Sequence, residues 1–480
     1  MTNKPVQINA KFKYQKLVDE IVVAIESGLL TGKLPSVRKA SKDRSVSIST
    51  ISQAYAELER LGWIFSESKR GYFIHQTRNE NSKPQYGHDI TSISNGRSLA
   101  ESVQYSLNDP NVFPLSSTAP SSVLDNEKVL NRLSKKTSNN RVFQKNLEEP
   151  IAGLPEYRQA LSRYWLSQSL LLTQDQIIAT HGRNEGLLTA LLAMNKSGKA
   201  VAVESPTSFY FQAVISQLNF DVIEIPQQHN YQDELMLLEL AYSTHKFDCL
   251  VVNPSFNDPT GRLLSKGDKL DLLHWASRNQ VTIIEYDRSE LYFSCDKPSS
   301  LVNLAINHSI DNLRLISIGD FFDTLSPTLK LGYMVCLNCF QECLLTRQTT
   351  LEPVNLHMQH IITECLESGQ YSKLLRNLRH QLRINYIKAN TIFSELLELG
   401  TYISQPNGGP CLWFQLPKGV SSHGLWEMAI NAQLSIAPGT VFSFSNNFED
   451  FFRVTFALPW DDSMESALIK LTKLTKDFVK

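Results

Sequence analysis

Between Lys13 and Ser27 the apolar positions Leu17, Ile21, Ala24 and Ile25 recur every three or four residues, and Gly28 follows them. That spacing predicts an amphipathic helix with a glycine stop. A turn at Gly32 and Leu34-Pro35 precedes Ser36, which is placed to cap a short helix over Val37 to Asp43. A third helix, from about Ser49 to Leu61, carries Ile51, Ala54, Tyr55, Leu58 and Leu61 on one face, and Gly62 ends it. Trp63-Ile64-Phe65 and Tyr72-Phe73-Ile74 have strand character around a polar tip, Glu67 to Gly71. Three helices and a two-stranded wing within residues 10–75 predict a winged helix-turn-helix.

Residues 76–104 open as QTRNENSKPQYGH and stay polar without a sustained period, which predicts a linker. From about Tyr105 the pattern changes. Strand-length apolar runs at Ala200–Val203, Phe220–Ile225, Cys249–Val252 and Val281–Ile284 alternate with helical patterns at Asn184–Met194, Phe209–Leu218 and Lys269–Ser277. Alternation of that kind predicts an α/β body with a largely parallel sheet, helices on both faces and ligands at the C-terminal strand ends. This body is expected over residues 105–370. A helical stretch, Tyr371 to Leu399, then precedes strands near Cys411–Leu416 and Arg453–Ala457, so residues 371–480 are expected to form a smaller α/β lobe.

Composition sharpens this division. The 480 residues are 42% apolar, enough for two or three packed domains, and carry a net charge of −1. The charge is uneven: residues 1–75 hold 12 Lys/Arg against 7 Asp/Glu, and the remainder 35 against 41. A small basic module on a mildly acidic body suits a polyanionic partner. The N-terminus has no apolar signal segment and no run of about 18 apolar residues occurs, so a cytoplasmic protein with no membrane contact is expected. Seven cysteines do not make a disulfide scaffold. Cys336, Cys339 and Cys343 cluster as CxxCxxxC, but no second pair or nearby His completes a four-ligand zinc set, so no metal is expected there.

The N-terminal module could be a helical adaptor with a polar face. Its basic bias and the placement of particular side chains point instead to double-stranded DNA. Arg38 stands on the second helix, Ser47, Ser49, Thr50 and Gln53 at the start of the third, and Lys69-Arg70 at the wing tip. Basic and hydroxyl side chains fix a protein on the phosphate backbone, while polar groups at the start of a recognition helix read bases. The stretch resembles the GntR family in Leu34-Pro35-Ser36-Val37-Arg38, Thr50-Ile51, Ala54-Tyr55-Ala56-Glu57-Leu58-Glu59-Arg60-Leu61-Gly62 and the wing Gly71. An arginine usual in that family falls at Ile48, which removes one expected DNA contact.

The larger part is similar, segment by segment, to the fold-type-I (aspartate aminotransferase-like) PLP-transferases. The segments are Gly153–Arg158, Thr180–Glu185, Glu204–Thr207, Asn253–Gly261, Ile284–Asp287, Gly319–Tyr333, Gly409–Trp413, Ala437–Gly439 and Phe452–Val454. Together the two halves resemble the MocR-type regulators. That resemblance implies a DNA-binding regulator that forms head-to-tail homodimers by domain swap, with each winged helix on the partner's large domain.

The resemblance also marks a degenerate pocket. The lysine that would hold pyridoxal phosphate (PLP) falls at Asp323, its preceding serine at Phe322, the Ser/Thr after the glycine at Asp320, and the phosphate arginine at Lys330. A carboxylate forms no Schiff base. Gly182 keeps the phosphate turn but is followed by Arg183; the ring-covering aromatic falls at Ser208, with Phe209 beside it. The ring-hydroxyl partner falls at Asp258. The aspartate that pairs with the pyridine nitrogen falls at Ile284, with Tyr286 kept and Glu285 or Asp287 able to serve only if the strand end shifts. No cofactor and no catalysis are therefore expected. The aspartates are either surface-loop residues or receive an amino-acid or amine effector, with Arg453 holding its acid end. Two other readings stay open: a PLP enzyme whose lysine comes from elsewhere, with Lys330 nearest, and an architectural DNA-binding protein with an empty cavity.

Overall fold

The computed structural model describes residues 13–26, 30, 32–60, 63–67, 71–74, 98–139, 150–194, 200–350 and 352–479. The chain divides into two compact units, Met1–Asp89 and Ile90–Lys480.

In the first unit, helices span Lys13–Glu26, Val37–Asp43 and Ile48–Arg60, followed by β1 (Ile64–Glu67) and β2 (Gly71–Ile74). The strands pair antiparallel, from Ile64 opposite Ile74 to Glu67 opposite Gly71. Leu17, Ile21, Ala40, Ile51, Ala54, Tyr55 and Leu58 meet in one core with Ile64 and Ile74. This is a winged helix-turn-helix. Tyr55 ties its recognition helix to the preceding turn by donating to the Pro35 carbonyl at 3.0 Å. Leu61, Gly62 and the wing tip with Lys69 and Arg70 lie outside the described residues.

The second unit is built on a seven-stranded sheet of order β3-β9-β8-β7-β6-β4-β5. Its strands are β3 (Ile177–Thr180), β4 (Ala200–Ser205), β5 (Asp221–Pro226), β6 (Cys249–Val252), β7 (Thr282–Tyr286), β8 (Leu315–Asp320) and β9 (Gly332–Leu337). β5, β4, β6, β7 and β8 run parallel, and β9 runs against both β8 and β3. Strands β3, β4, β6, β7 and β8 are buried along their whole length, which explains why they read as continuous apolar runs rather than alternations. The smaller lobe has a four-stranded antiparallel sheet, β10 (Tyr402–Ile403), β11 (Cys411–Gln415), β12 (Ala437–Pro438) and β13 (Phe451–Thr455), in the order β10-β11-β13-β12. The long helix before it runs Gln370–Phe393 and tightens to a 3₁₀ turn over Ser394–Leu399.

Two boundaries differ from the sequence reading. A helix, Leu99–Ser106, stands inside the stretch expected to be linker; Ser98 and Glu101 form a reciprocal capping box at its start. The segment after it joins the C-terminal lobe rather than the large sheet. Phe113 exchanges backbone hydrogen bonds with Gln433 and Ser435, and Thr455 donates to the Leu115 carbonyl. Pairing partners more than 300 residues away leave no local mark in residues 105–125.

Candidate functional site

Strand β8 ends at Asp320, and the turn that follows carries Phe321, Phe322 and Asp323 back toward β9. The Phe321 amide donates to the Leu331 carbonyl at 3.0 Å. Close packing requires the glycine before this turn: a Cβ on Gly319 would lie 2.4 Å from the Tyr333 hydroxyl. Asp323 is 4% exposed, so it is no surface-loop residue. Its Oδ2 accepts from the Tyr286 hydroxyl at 2.7 Å and its Oδ1 from Arg183 Nη1 at 3.0 Å. Arg288 Nε stands 3.2 Å from Oδ2 but makes no hydrogen bond, so its attraction is one of charge rather than of aligned donation.

Arg183 begins the helix Arg183–Met194, just after Gly182, whose φ of 97° lies in the left-handed region that glycine tolerates. The backbone N–H of Arg183 donates to Asp320, so a side-chain carboxylate takes the anion position at this helix start. The Arg183 guanidinium lies over the Phe322 ring, 4.7 Å from its centroid, and also donates to Tyr286 Oη at 3.0 Å. Burial, and then the Asp323 charge, push the Asp320 carboxyl up to about 6, against the pull of Arg183. Burial also raises Tyr286 far above an ordinary phenol, which keeps it a donor to Asp323.

A second buried pair closes the opposite wall. Arg453, fully buried on β13, donates through Nη1 to Asp258 at 2.7 Å and through Nη2 to the Ser116 carbonyl. Its guanidinium stands 5.0 Å from the Phe442 ring centroid and 5.4 Å from that of Phe209. Burial works to raise Asp258, but Arg453 and Arg288 outweigh it and, with the Ser208 hydroxyl, hold this carboxyl below its usual range. Three arginines thus face three aspartates: Arg183, Arg288 and Arg453 against Asp258, Asp320 and Asp323.

The structure therefore brings together Gly182, Arg183, Asp320, Asp323 and Tyr286, and joins Asp258, Arg453, Ser208 and Phe209 in an adjoining group. It separates two residues from them. Ile284 lies in the apolar layer beside Val251 and Ile316. Lys330 is exposed, with its ammonium 4.7 Å from the outer Phe322 ring. Asp287 turns to a cavity of about 320 Å³ beneath the turn, shared with Arg288, Asp320, Asp323, Tyr333 and Tyr371. Glu285 faces away from Tyr286, as neighbours on a strand do, and accepts from the Leu301 amide at 3.0 Å. The expectation that Arg453 holds a ligand's acid end is corrected: Asp258 occupies it. Sequence reasoning missed Arg288 and the backbone of Ser116; a basic residue directly after Tyr286-Asp287 was the one available signal for the first.

PLP needs an amine for its aldehyde and hydrogen-bond donors for its phosphate. Asp323 offers no amine, Asp320 and Phe322 offer no hydroxyl to a phosphate, and Arg183 is already committed to two carboxylates. The residues do not fit that group.

In the winged unit, Arg38 is exposed on the second helix, and Ser49 and Gln53 are exposed on the third. Ser47 caps the third helix: its hydroxyl accepts from the Thr50 amide at 3.2 Å and lies 2.7 Å from the Thr50 hydroxyl. Ile48 is 55% exposed at the same helix start. Exposed polar groups beside an exposed aliphatic one form a face able to meet both phosphates and base edges.

Fold and site together define an aminotransferase-like body, with altered pocket chemistry, in a chain that also carries a winged helix-turn-helix. No family model matches the chain. It is similar over nearly its whole length to two HTH-type transcriptional regulators of Escherichia coli. YjiR is 27% identical over 469 residues, covering 95% of this chain and 97% of that one; YdcR is 26% identical, covering 97% and 99%. NorG, an HTH-type transcriptional regulator of Staphylococcus aureus, is 24% identical over 330 residues, covering 68% of this chain and 72% of its own. Among solved structures, the kynurenine aminotransferase of Pyrococcus horikoshii superposes with a TM-score of 0.71 at 20% identity, covering 84% of this chain and all of that one. The α-aminoadipate aminotransferase LysN of Thermus thermophilus gives 0.69 at 20% identity, covering 80% and 95%. Likeness at that identity shows the fold alone. No helix among the described residues is long and apolar enough to cross a membrane.

Proposed function

We propose that this chain is a MocR-type transcriptional regulator: its winged helix binds double-stranded DNA, and its aminotransferase-like body neither transaminates nor holds PLP covalently. The observation that carries this reading is the carboxylate of Asp323, where the resemblance expects a lysine, tied down by Arg183, Tyr286 and Arg288. The names of the full-length relatives support the regulatory half. The body then serves as dimeriser, in the head-to-tail, domain-swapped manner the family resemblance implies. A homodimer matches paired half-sites on DNA.

A body that senses an effector belongs to the same proposal. The open space lies at Asp287 and Asp320 rather than at Arg453, and burial raises both of these carboxyls. A small amine or amino acid that brings a cation there relieves that charge. The rival reading, an enzyme with a displaced lysine, needs Lys330 to leave the outer face of Phe322 and pass the buried turn. The architectural reading needs DNA affinity that ignores every metabolite.

Two measurements on the purified full chain test the proposal. Incubation with PLP followed by borohydride should leave no lysine adduct by mass spectrometry, and amino-group exchange should be absent. Fluorescence anisotropy should show duplex DNA binding that falls with salt. A reduced adduct on any pocket lysine sinks the claim about the body, and failure to bind DNA sinks the claim about the winged helix.

A further inference from the structure

Cys336 is the penultimate residue of strand β9, Asn338 turns the chain with φ 58°, and Cys339 directly precedes the helix Phe340–Thr350, which carries Cys343 one turn in. This strand-to-helix corner folds the three side chains together. Their Sγ atoms all lie within 4.8 Å of one another, and the residues are 1%, 1% and 0% exposed. They sit in the apolar layer between the sheet and its flanking helices, with Leu187, Leu191, Met194 and Ile316 as members. Arg314 is the nearby cation. Its Nη2 donates to Glu342 at 2.8 Å, while its Nε is buried without a hydrogen-bond partner among the described residues. The Cys339 thiol lies 3.8 Å from the Leu315 carbonyl, to which it donates.

We propose that Cys336, Cys339 and Cys343 form a binding site for a trivalent, thiophilic oxyacid of the arsenite and antimonite class. The argument rests on ligand number and charge. With centre–sulfur bonds of about 2.3 Å, three sulfurs around one pyramidal centre stand roughly 3.5 Å apart, and here they already lie within 4.8 Å of one another. Zinc wants a fourth ligand, and no further His, Cys, Asp or Glu atom joins the group among the described residues. Net charge separates the remaining soft centres. Three thiolates leave a copper(I) complex doubly negative and a zinc(II) complex singly negative, but a trivalent complex neutral. In a dry apolar layer a net charge is heavily penalised, and the Arg314 cation is already offset by Glu342.

The balance is a ligand exchange without redox change. Three As–O bonds of the neutral acid break and three As–S bonds form. Each thiol proton leaves with a hydroxide as water, three waters per site. This site is independent of the winged helix and of the Asp323 pocket, so its failure leaves the proposed function untouched.

The test uses reduced full-length protein and arsenite. Desalted protein should retain one arsenic per chain by elemental analysis. Alkylation and mass mapping of the unaltered protein with and without arsenite should show an arsenite-dependent slowing at Cys336, Cys339 and Cys343, with none at Cys295 or at Cys365, which is itself buried. C336S, C339S and C343S should each weaken retention at least tenfold, while C295S should leave it unchanged. Absence of retained arsenic, or arsenite-dependent protection spread over all seven cysteines, overturns the proposal. So does tighter retention of zinc(II) than of arsenite in direct competition. The protection map needs no variant, so a serine variant that fails to fold does not rescue or sink the result.

Discussion

Asp323 is held by two guanidinium groups and a phenol inside a buried turn, and that environment sets what its replacement does. Removing one partner of a buried pair leaves the others uncompensated, typically at about 3–5 kcal/mol. Asp323→Lys, which restores the residue type the resemblance expects, is therefore predicted to destabilise the chain by that order. The new ammonium would face Arg183 and Arg288, and PLP binding would not return, because Asp320 still fills the anion position. The midpoint of denaturant unfolding checks it; an unchanged midpoint would mean Asp323 is not paired. Glu285 supplies a pH prediction. Burial, and then the Asp287 charge, push its carboxyl up to about 8. Because the folded value exceeds the unfolded one of about 4.3, its contribution to stability is full below that value and lost as pH rises through about 8. Glu285→Gln should flatten the loss of stability between about pH 5 and about pH 8 relative to the parent, read from thermal melts; parallel curves would contradict it.

At the scale of single elements, the proposed DNA-binding face is shared by the helices Val37–Asp43 and Ile48–Arg60, which carry different chemistry. Arg38 is free to meet phosphate, so Arg38→Ala should weaken binding about equally on operator and random duplex and reduce the salt slope by about 1. Gln53→Ala should relax preference at a particular base pair by about 1–3 kcal/mol. Anisotropy titrations on both duplexes at several salt concentrations separate the two, and equal losses for both variants would contradict the division. The helix Leu99–Ser106 carries its own prediction: Ser98→Ala removes a cap and should cost about 1 kcal/mol in the unfolding midpoint of the larger unit. That capping box was legible as Ser-x-x-Glu, yet the polar stretch before it masked the signal. The winged unit was legible to within a residue at each helix, because its helices are short and amphipathic and the sequence after each holds a glycine or turn residue. Strands β4, β6 and β7 of the body were equally legible, since full burial on both faces leaves an apolar run, whereas β3 and β9 were not read as strands.

For the whole molecule, the proposal of a dimer on paired half-sites predicts how affinity scales. Sedimentation should give a dimer, and a duplex with two half-sites should bind about 10²–10⁴ times more tightly than one with a single half-site. Equal affinity for the two, or a monomer in sedimentation, would contradict it. The basic first 75 residues and the acidic remainder follow from the sequence alone, and so does the identity of each pocket position, because type and order along the chain decide them. The proposed loss of the amine at Asp323 rests on residue type in the same way, because a single residue type carries that chemistry. Other features depended on distance between side chains remote in sequence. Arg453 closes on Asp258 across 195 residues and Arg183 on Asp323 across 140, so acids that looked free for a ligand are neutralised within the protein. The cysteines at 336, 339 and 343 looked incomplete by spacing, and only the corner between strand and helix brings their sulfurs together. Residue type sets what a group can do, but charge and coordination act over a few ångströms, and only the folded chain determines which groups come that close.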